Sequence, residues 1–235
     1  MEKREKLYEG KAKIIYSTDN PDLVIQYFKD DATAFNAAKK GTVDEKGIMN
    51  NKISGKIFEY LQSQGGIPTH FEKTLSDREM LVKRVEIAPI EVIIRNRAAG
   101  SLCRLLGIPE GTALKTTILE FCYKRDDLGD PLINEYHIKA LNLATEDEVK
   151  AIKEYTLKVN EHLSKFFLKL NLELIDFKLE FGRYKGKIIL ADEISPDTCR
   201  LWEVGTGKKL DKDRFRHDLG NIKEAYQEVL SRVSA

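Results

Sequence analysis

From Leu174 to Gly182 the chain alternates apolar and charged residues at a period of two, the period at which successive side chains of a β-strand point to opposite faces. Ile175, Phe177, Leu179 and Phe181 then share one face, and Asp176, Lys178 and Glu180 the other. A turn over Gly182-Arg183-Tyr184-Lys185-Gly186 leads into a returning apolar strand from Lys187 to Leu190, which delivers Asp192 and Glu193 just ahead of Ser195-Pro196-Asp197. Upstream, Leu7 to Phe28 reads as a strand, a turn at Ser17-Thr18-Asp19-Asn20-Pro21 and a second strand from Leu23. Asp44 to Gln64 reads as a helix, with Ile53, Ile57 and Leu61 on one face and Gly65-Gly66 as its stop. Met80 to Val85 returns to a strand pattern. Pro89 begins an apolar strand that ends in Ala98-Ala99-Gly100-Ser101, ahead of a short helix from Leu102 to Leu106 closed by Gly107. Thr145 and Glu148 form a capping box for a long helix whose stripe is Val149, Ile152, Val159, Leu163, Phe166, Phe167 and Leu170. Leu219 to Arg232 reads as a terminal helix with Ala225 and Val229 inward. These patterns support a mixed helix-and-strand class and no finer topology. The change of pattern near Arg84 to Pro89 suggests two lobes, residues 1–84 and 85–235.

Composition narrows the classes. The 235 residues are 42% hydrophobic and 33% charged, enough for a sizeable core. A net charge of +1 gives no support for nucleic acid as a partner. Cys103, Cys122 and Cys199 are odd in number and widely spaced, against a disulfide framework or a zinc site, and the four histidines show no metal-ligand spacing. The start, Met1-Glu2-Lys3-Arg4-Glu5-Lys6, has no apolar signal region, and no run of about 18 apolar residues follows. A soluble, cytoplasmic protein with no membrane partner is the expectation.

The chemistry lies in the charges. Three charges on one strand face can simply be solvated. Two carboxylates on neighbouring strands with a lysine beside them are also what a Mg²⁺-nucleotide site requires, since Mg²⁺ takes oxygen ligands and phosphate needs cations. Lys11 and Lys13, entered through Gly10, could clamp phosphates from one strand face, and they equally suit an edge strand guarded against aggregation. Lys83 is a further phosphate or adenine-side candidate. Gly100-Ser101 before a helix, with Arg95 or Arg97 upstream, makes an anion site; otherwise Ser101 caps its helix and Arg95 pairs with Glu91.

The segments Leu7-Tyr8-Glu9-Gly10-Lys11-Ala12-Lys13, Pro89-Ile90-Glu91 through Arg95 to Ala99-Gly100-Ser101, and Leu174-Ile175-Asp176-Phe177-Lys178-Leu179-Glu180-Phe181-Gly182 carry a resemblance. So do Asp192-Glu193-Ile194-Ser195-Pro196-Asp197 through Arg200-Leu201-Trp202, and Asp211-Lys212-Asp213-Arg214-Phe215-Arg216. Together they resemble the SAICAR synthetase family over nearly the whole chain. The resemblance implies an α+β fold related to ATP-grasp enzymes, with an antiparallel N-terminal nucleotide-binding lobe over a larger α+β lobe holding substrate and metal. It implies an ATP-dependent ligase that joins the carboxylate of the ribonucleotide CAIR to L-aspartate through an acyl phosphate, giving SAICAR, ADP and phosphate, and commonly a homodimer. Carried to matching positions, ATP falls to Lys11, Ala12, Lys13, Ile15, Lys83, Glu180 and Asp192, with Glu180 and Asp192 also holding Mg²⁺. Lys178 and Asp176 become the catalytic pair, and CAIR falls to Arg95, Ser101, Arg200, Asp197 and Arg216. One departure stands out: Phe35-Asn36-Ala37 occupies a place where some members carry Gly-Asp-Gly, so a carboxylate contact there is not carried over. A small-molecule kinase on the same scaffold and a non-catalytic nucleotide-binding module are the alternatives, separated from a ligase by amine dependence and by the metal carboxylates.

Overall fold

Strands that alternate one apolar with one polar face need a partner layer, and this chain supplies it by stacking helices against two antiparallel sheets. The computed structural model describes residues 2–34 and 38–235, so Asn36 and its neighbours Phe35 and Ala37 lie outside the described residues. β1 (Lys3–Glu9), β2 (Lys13–Thr18) and β3 (Leu23–Phe28) lead into the hairpin β4 (Asp31–Ala34) and β5 (Lys39–Thr42) and helix α1 (Lys46–Gly65). β6 (Phe71–Thr74) and β7 (Glu79–Lys83) complete the first sheet in the order β1-β2-β3-β7-β6. β8 (Glu86–Arg97), α2 (Ser101–Leu106), β9 (Ala113–Tyr123), β10 (Leu132–Ile133), α3 (Glu135–Ala140) and α4 (Glu146–Lys169) follow. β11 (Leu172–Tyr184), β12 (Lys187–Ala191), β13 (Cys199–Glu203), α5 (Asp213–Arg216) and α6 (Ile222–Ser234) end the chain. The second sheet runs β10-β9-β8-β11-β12, with β13 also paired to β11. A parallel bridge between Thr69 and Leu190 ties the two sheets together.

β11 organises the molecule. It pairs with β8 along one edge and on the other with β13 at its start and β12 at its end. Its apolar face, Phe177, Leu179 and Phe181, joins one core with Val149, Ile152, Val159, Leu163 and Phe167 of α4. Each such side chain stabilises the fold by about 1.5–3 kcal/mol on burial. α4 opens on the expected capping box, Thr145 accepting from the Glu148 N–H and Glu148 from the Thr145 N–H.

Two boundaries differ from the sequence expectation. The strand through Leu7 is two strands, broken at Gly10-Lys11-Ala12, where the Gly10 N–H donates to the Lys13 carbonyl at 2.8 Å. All seven residues of β1 are exposed, so no apolar period marks where it starts or ends. The turn between β11 and β12 is only Lys185-Gly186, with φ of 48° and 77°, and the strand runs on through Tyr184. Two left-handed central residues make the tight hairpin turn that follows strand twist. Gly182 serves close packing instead: a Cβ there would sit 2.6 Å from Val85 Cγ2.

A buried ion pair joins distant parts of the chain. Lys46, at the start of α1 and 1% exposed, places Nζ 2.6 Å from Asp197 Oδ2, while the Tyr226 hydroxyl of α6 donates to Oδ1 at 2.6 Å. Burial works to raise the Asp197 pKa, but Lys212 and Lys46 hold the carboxyl well below the usual carboxylate range. This contribution is therefore present above an ordinary carboxylate pKa of about 3.9 and is lost as pH falls toward the lowered value. Lys46→Met is expected to cost about 3–5 kcal/mol, because it strands a buried carboxylate. Urea unfolding would measure it, and a loss below about 1 kcal/mol would mean that water already compensates the charge.

Candidate active site

Antiparallel register decides which charges meet. Across β8 and β11, Asp176 faces Arg95 and Glu180 faces Glu91; across β11 and β12, Glu180 faces Ala191, immediately before Asp192. The polar face of β11 therefore does not look into solvent: it floors a cleft of about 870 Å³ whose other wall is β2, β3 and β7.

At the centre, Lys178 Nζ lies 2.7 Å from Glu91 Oε1 and 2.7 Å from Glu180 Oε1, and Lys124 Nζ lies 2.8 Å from the same Glu180 oxygen. Lys13 Nζ reaches Asp192 Oδ1 and, at 2.9 Å, Glu193 Oε1. Asp192 holds a left-handed backbone, φ 62°, a conformation that aspartate tolerates through its short polar side chain. Burial alone would raise the pKa of Asp192, yet Lys13 and Lys178 bring it down to about 2. Burial likewise opposes ionisation of Glu180, and Lys178 overcomes it, leaving the pKa lowered. Glu91 goes the other way, raised by burial in spite of Lys178 and with Glu180 adding to the rise. Lys178 is pushed down by burial and up, by more, by Glu180, Glu91 and Asp192, so it stays an ammonium. Glu180 and Asp192 offer hard oxygen donors in the charged state, which suits Mg²⁺. Among the described residues no three His, Cys, Asp or Glu side chains are arranged to hold a metal. A Mg²⁺ ion held by one or two carboxylates would complete its shell with phosphate oxygens and water.

One end of the cleft is largely apolar, walled by Ala12, Ile15, Val24, Val82 and Ile87. Lys83 stands there with Nζ 3.0 Å from the Thr69 carbonyl and 3.1 Å from Glu72, and Lys11 reaches Asp126 at 2.6 Å. His70 lines the same wall, and burial, with the charges of Lys13 and Lys83, lowers its pKa to about 3, so it is neutral. Apolar walls with lysines at their edge can hold a planar base and its phosphates.

The other end gathers two arginines and a serine into a cradle. Arg95, 2% exposed, bonds Glu120 at 2.7 Å, Asp176 at 3.2 Å and Ser101 Oγ at 2.8 Å. Arg200 reaches Asp176 at 2.7 Å and Asp213 at 2.8 Å. Gly100 makes the close approach possible: φ is 56°, and a Cβ there would lie 2.4 Å from Arg200 Nη2. Arg97 turns away to Glu173 and the Gly111 carbonyl, and Arg95 pairs with Glu120 and Asp176 rather than with Glu91. Ser101 does not cap α2; its hydroxyl serves Arg95.

The fourteen residues that the family resemblance assigns all line this one cleft, Lys11, Ala12, Lys13, Ile15, Lys83, Arg95, Ser101, Asp176, Lys178, Glu180, Asp192, Asp197, Arg200 and Arg216, whereas Arg97, the other arginine offered for the anion site, does not. Glu91, Lys124 and Lys212 also line it and went unassigned. Glu91 was legible as a lone charge inside an apolar strand, whereas Lys124 and Lys212 reach the cleft only through pairings distant in sequence.

Known proteins resemble the chain over its full length. The sequence profile of the SAICAR synthetase family matches residues 6–233. The phosphoribosylaminoimidazole-succinocarboxamide synthase of Caldanaerobacter subterraneus subsp. tengcongensis is 62% identical over 233 residues, 99% of each chain. Among solved structures, the same-named synthase of Ehrlichia chaffeensis superposes with a TM-score of 0.96 at 50% identity, covering 98% of this chain and 99% of its own. A SAICAR synthetase in complex with ADP superposes at 0.93 with 48% identity, covering 96% of each.

Proposed function

Because this chain belongs to the SAICAR synthetase family, we propose that its cleft joins the carboxylate of CAIR to the amine of L-aspartate, with ATP activating the carboxylate as an acyl phosphate. The protein is an ATP-dependent carbon–nitrogen ligase of purine biosynthesis with the α+β fold of that family. What supports the residue assignment is one arrangement: Lys178, between Glu91 and Glu180 and beside Asp192, stands where the apolar nucleotide end meets the Arg95 cradle.

A carboxylate is a poor acyl donor, since its leaving group would be oxide; moving the γ-phosphoryl onto it makes phosphate the leaving group, which the amine then displaces. In this reading residues 1–84 form the nucleotide lobe and 85–235 the substrate and metal lobe. Lys11, Lys13 and Lys83 bind the ATP phosphates, with Ala12 and Ile15 against the base. Lys178, with two of its three donors on Glu91 and Glu180, holds the reacting carboxylate against the γ-phosphate with the third, and Asp176, through Arg95 and Arg200, fixes the cradle. Glu180 and Asp192 hold Mg²⁺, which when bound spreads the charge of the transferring phosphoryl group. Arg95, Ser101 and Arg200 take the CAIR 5′-phosphate, with Asp197 and Arg216 on the same side. A homodimer working in the cytoplasm completes the proposal.

Product analysis with ATP, CAIR and L-aspartate, omitting each in turn, tests the assignment; no SAICAR from the full mixture would end it, and phosphorylated CAIR without amine dependence would favour a kinase. Ser101→Ala is the cleaner probe of the cradle, because Arg95→Ala would also take a cationic partner from Glu120 and from the buried Asp176. Losing one charge-assisted contact costs roughly 1.5–3 kcal/mol, so the KM for CAIR should rise by about tenfold or more with the KM for ATP nearly unchanged. Equal reaction of the nucleoside and nucleotide forms with the wild type would remove the phosphate site from this end.

A further inference from the structure

Most cations at the substrate end already sit against carboxylates. Arg95 has Asp176 and Glu120, Arg200 has Asp176 and Asp213, and Arg216 has Asp213 at 2.6 Å. Lys212, which opens α5, is different: its side chain is 16% exposed and its nearest carboxylate oxygen, Asp197 Oδ2, is 3.9 Å away. That oxygen already receives Lys46 at 2.6 Å, and the other receives the Tyr226 hydroxyl at 2.6 Å. A largely buried ammonium has three donors to satisfy and loses much of its hydration, so its position is favourable only with an anion to complete it. Burial depresses its pKa, Asp197 opposes that, and Lys46 and Arg216 add to the depression, as expected where positive charge is in local excess. The turn is also held from outside: Phe215 packs on Gly41 of β5, and Lys39 Nζ lies 5.1 Å from the Phe215 ring centre.

Resting on the ligase assignment above, we propose that Lys212 anchors a carboxylate of the incoming amino acid, and so helps select a dicarboxylic amino acid as the amine donor. The other anions of the reaction are otherwise provided for. The 5′-phosphate has the Arg95, Ser101 and Arg200 cradle, and the reacting carboxylate has Lys178. The amino acid brings two more carboxylates into the same cleft, and Lys212 faces it with its pairing incomplete.

Two measurements test this. With Lys212→Met, the KM for L-aspartate should rise by about tenfold or more, with those for ATP and CAIR within about twofold of wild type and partial recovery in Lys212→Arg. In the wild-type protein, L-aspartate added with CAIR and a non-hydrolysable ATP analogue should slow acetylation of Lys212, read by mass spectrometry, several-fold more than L-alanine does. This second measurement stands even where the variant folds poorly. An unchanged KM for L-aspartate, a rise in the KM for CAIR instead, or equal protection by L-alanine would overturn the inference while leaving the ligase intact. A kcat that falls with the KM for L-aspartate unchanged and a shifted pH profile would overturn it too, making Lys212 a proton acceptor. A wild type that needs no L-aspartate would refute the ligase assignment itself.

Discussion

Lys178→Met is expected to slow acyl-phosphate formation by about 10²-fold or more, the loss typical of removing one electrostatic stabiliser from a water-poor site. The ammonium lies 2.7 Å from both Glu91 and Glu180, so it is held by two fixed carboxylates and can meet a third, incoming one without reorganising the strand. Methionine matches its length and removes the charge. ATP binding should survive, because Lys11, Lys13 and Lys83 come from the first sheet and its β1–β2 turn and keep their own carboxylate partners. Rapid-quench single turnovers measure the step, and unaltered turnover would take Lys178 out of the chemistry. The route itself is read with ¹⁸O in the CAIR carboxylate: transfer through an acyl phosphate carries one label into inorganic phosphate, and unlabelled phosphate alongside SAICAR would exclude it.

Glu180→Gln and Asp192→Asn should each reduce kcat on the order of 10³-fold, since a metal's contribution to the transition state is several kcal/mol. Amides are the informative replacements. At Asp192, asparagine keeps the left-handed backbone, φ 62°, which alanine would strain, so a lost rate cannot be blamed on the fold. Both variants should melt near the wild-type temperature. Either one staying within about twofold of the wild-type rate at saturating Mg²⁺ would make its carboxylate a partner of Lys13 or Lys178 and nothing more.

Sequence carried the site further than it carried the fold's edges, for a physical reason. β11 announces itself because a period-2 alternation with three charges on one face has few other meanings, and Asp176, Lys178 and Glu180 follow from it. β1 and β9 hardly announce themselves. β1 is exposed throughout and β9 is exposed over much of its first half, so neither needs an apolar period there. Lys124 enters the site because β9 pairs with β8 in the register Ile90 to Tyr123, which no local pattern fixes. The Lys46 to Asp197 pair spans 151 residues and is legible only once α1 and the segment after β12 are packed together.

The pairing of β11 with β8 has a consequence for how errors in assembly are avoided. A shift of one residue in that pairing would turn Asp176, Lys178 and Glu180 toward α4 and bring Phe177, Leu179 and Phe181 out into the cleft. Three charges would enter the core without partners, at a cost of several kcal/mol for each, comparable with the entire stability of an ordinary domain. The residues assigned to catalysis thus also proofread the topology: a molecule with β8 and β11 misaligned by one residue is an unfolded molecule, so no native-like fraction carrying that error should accumulate.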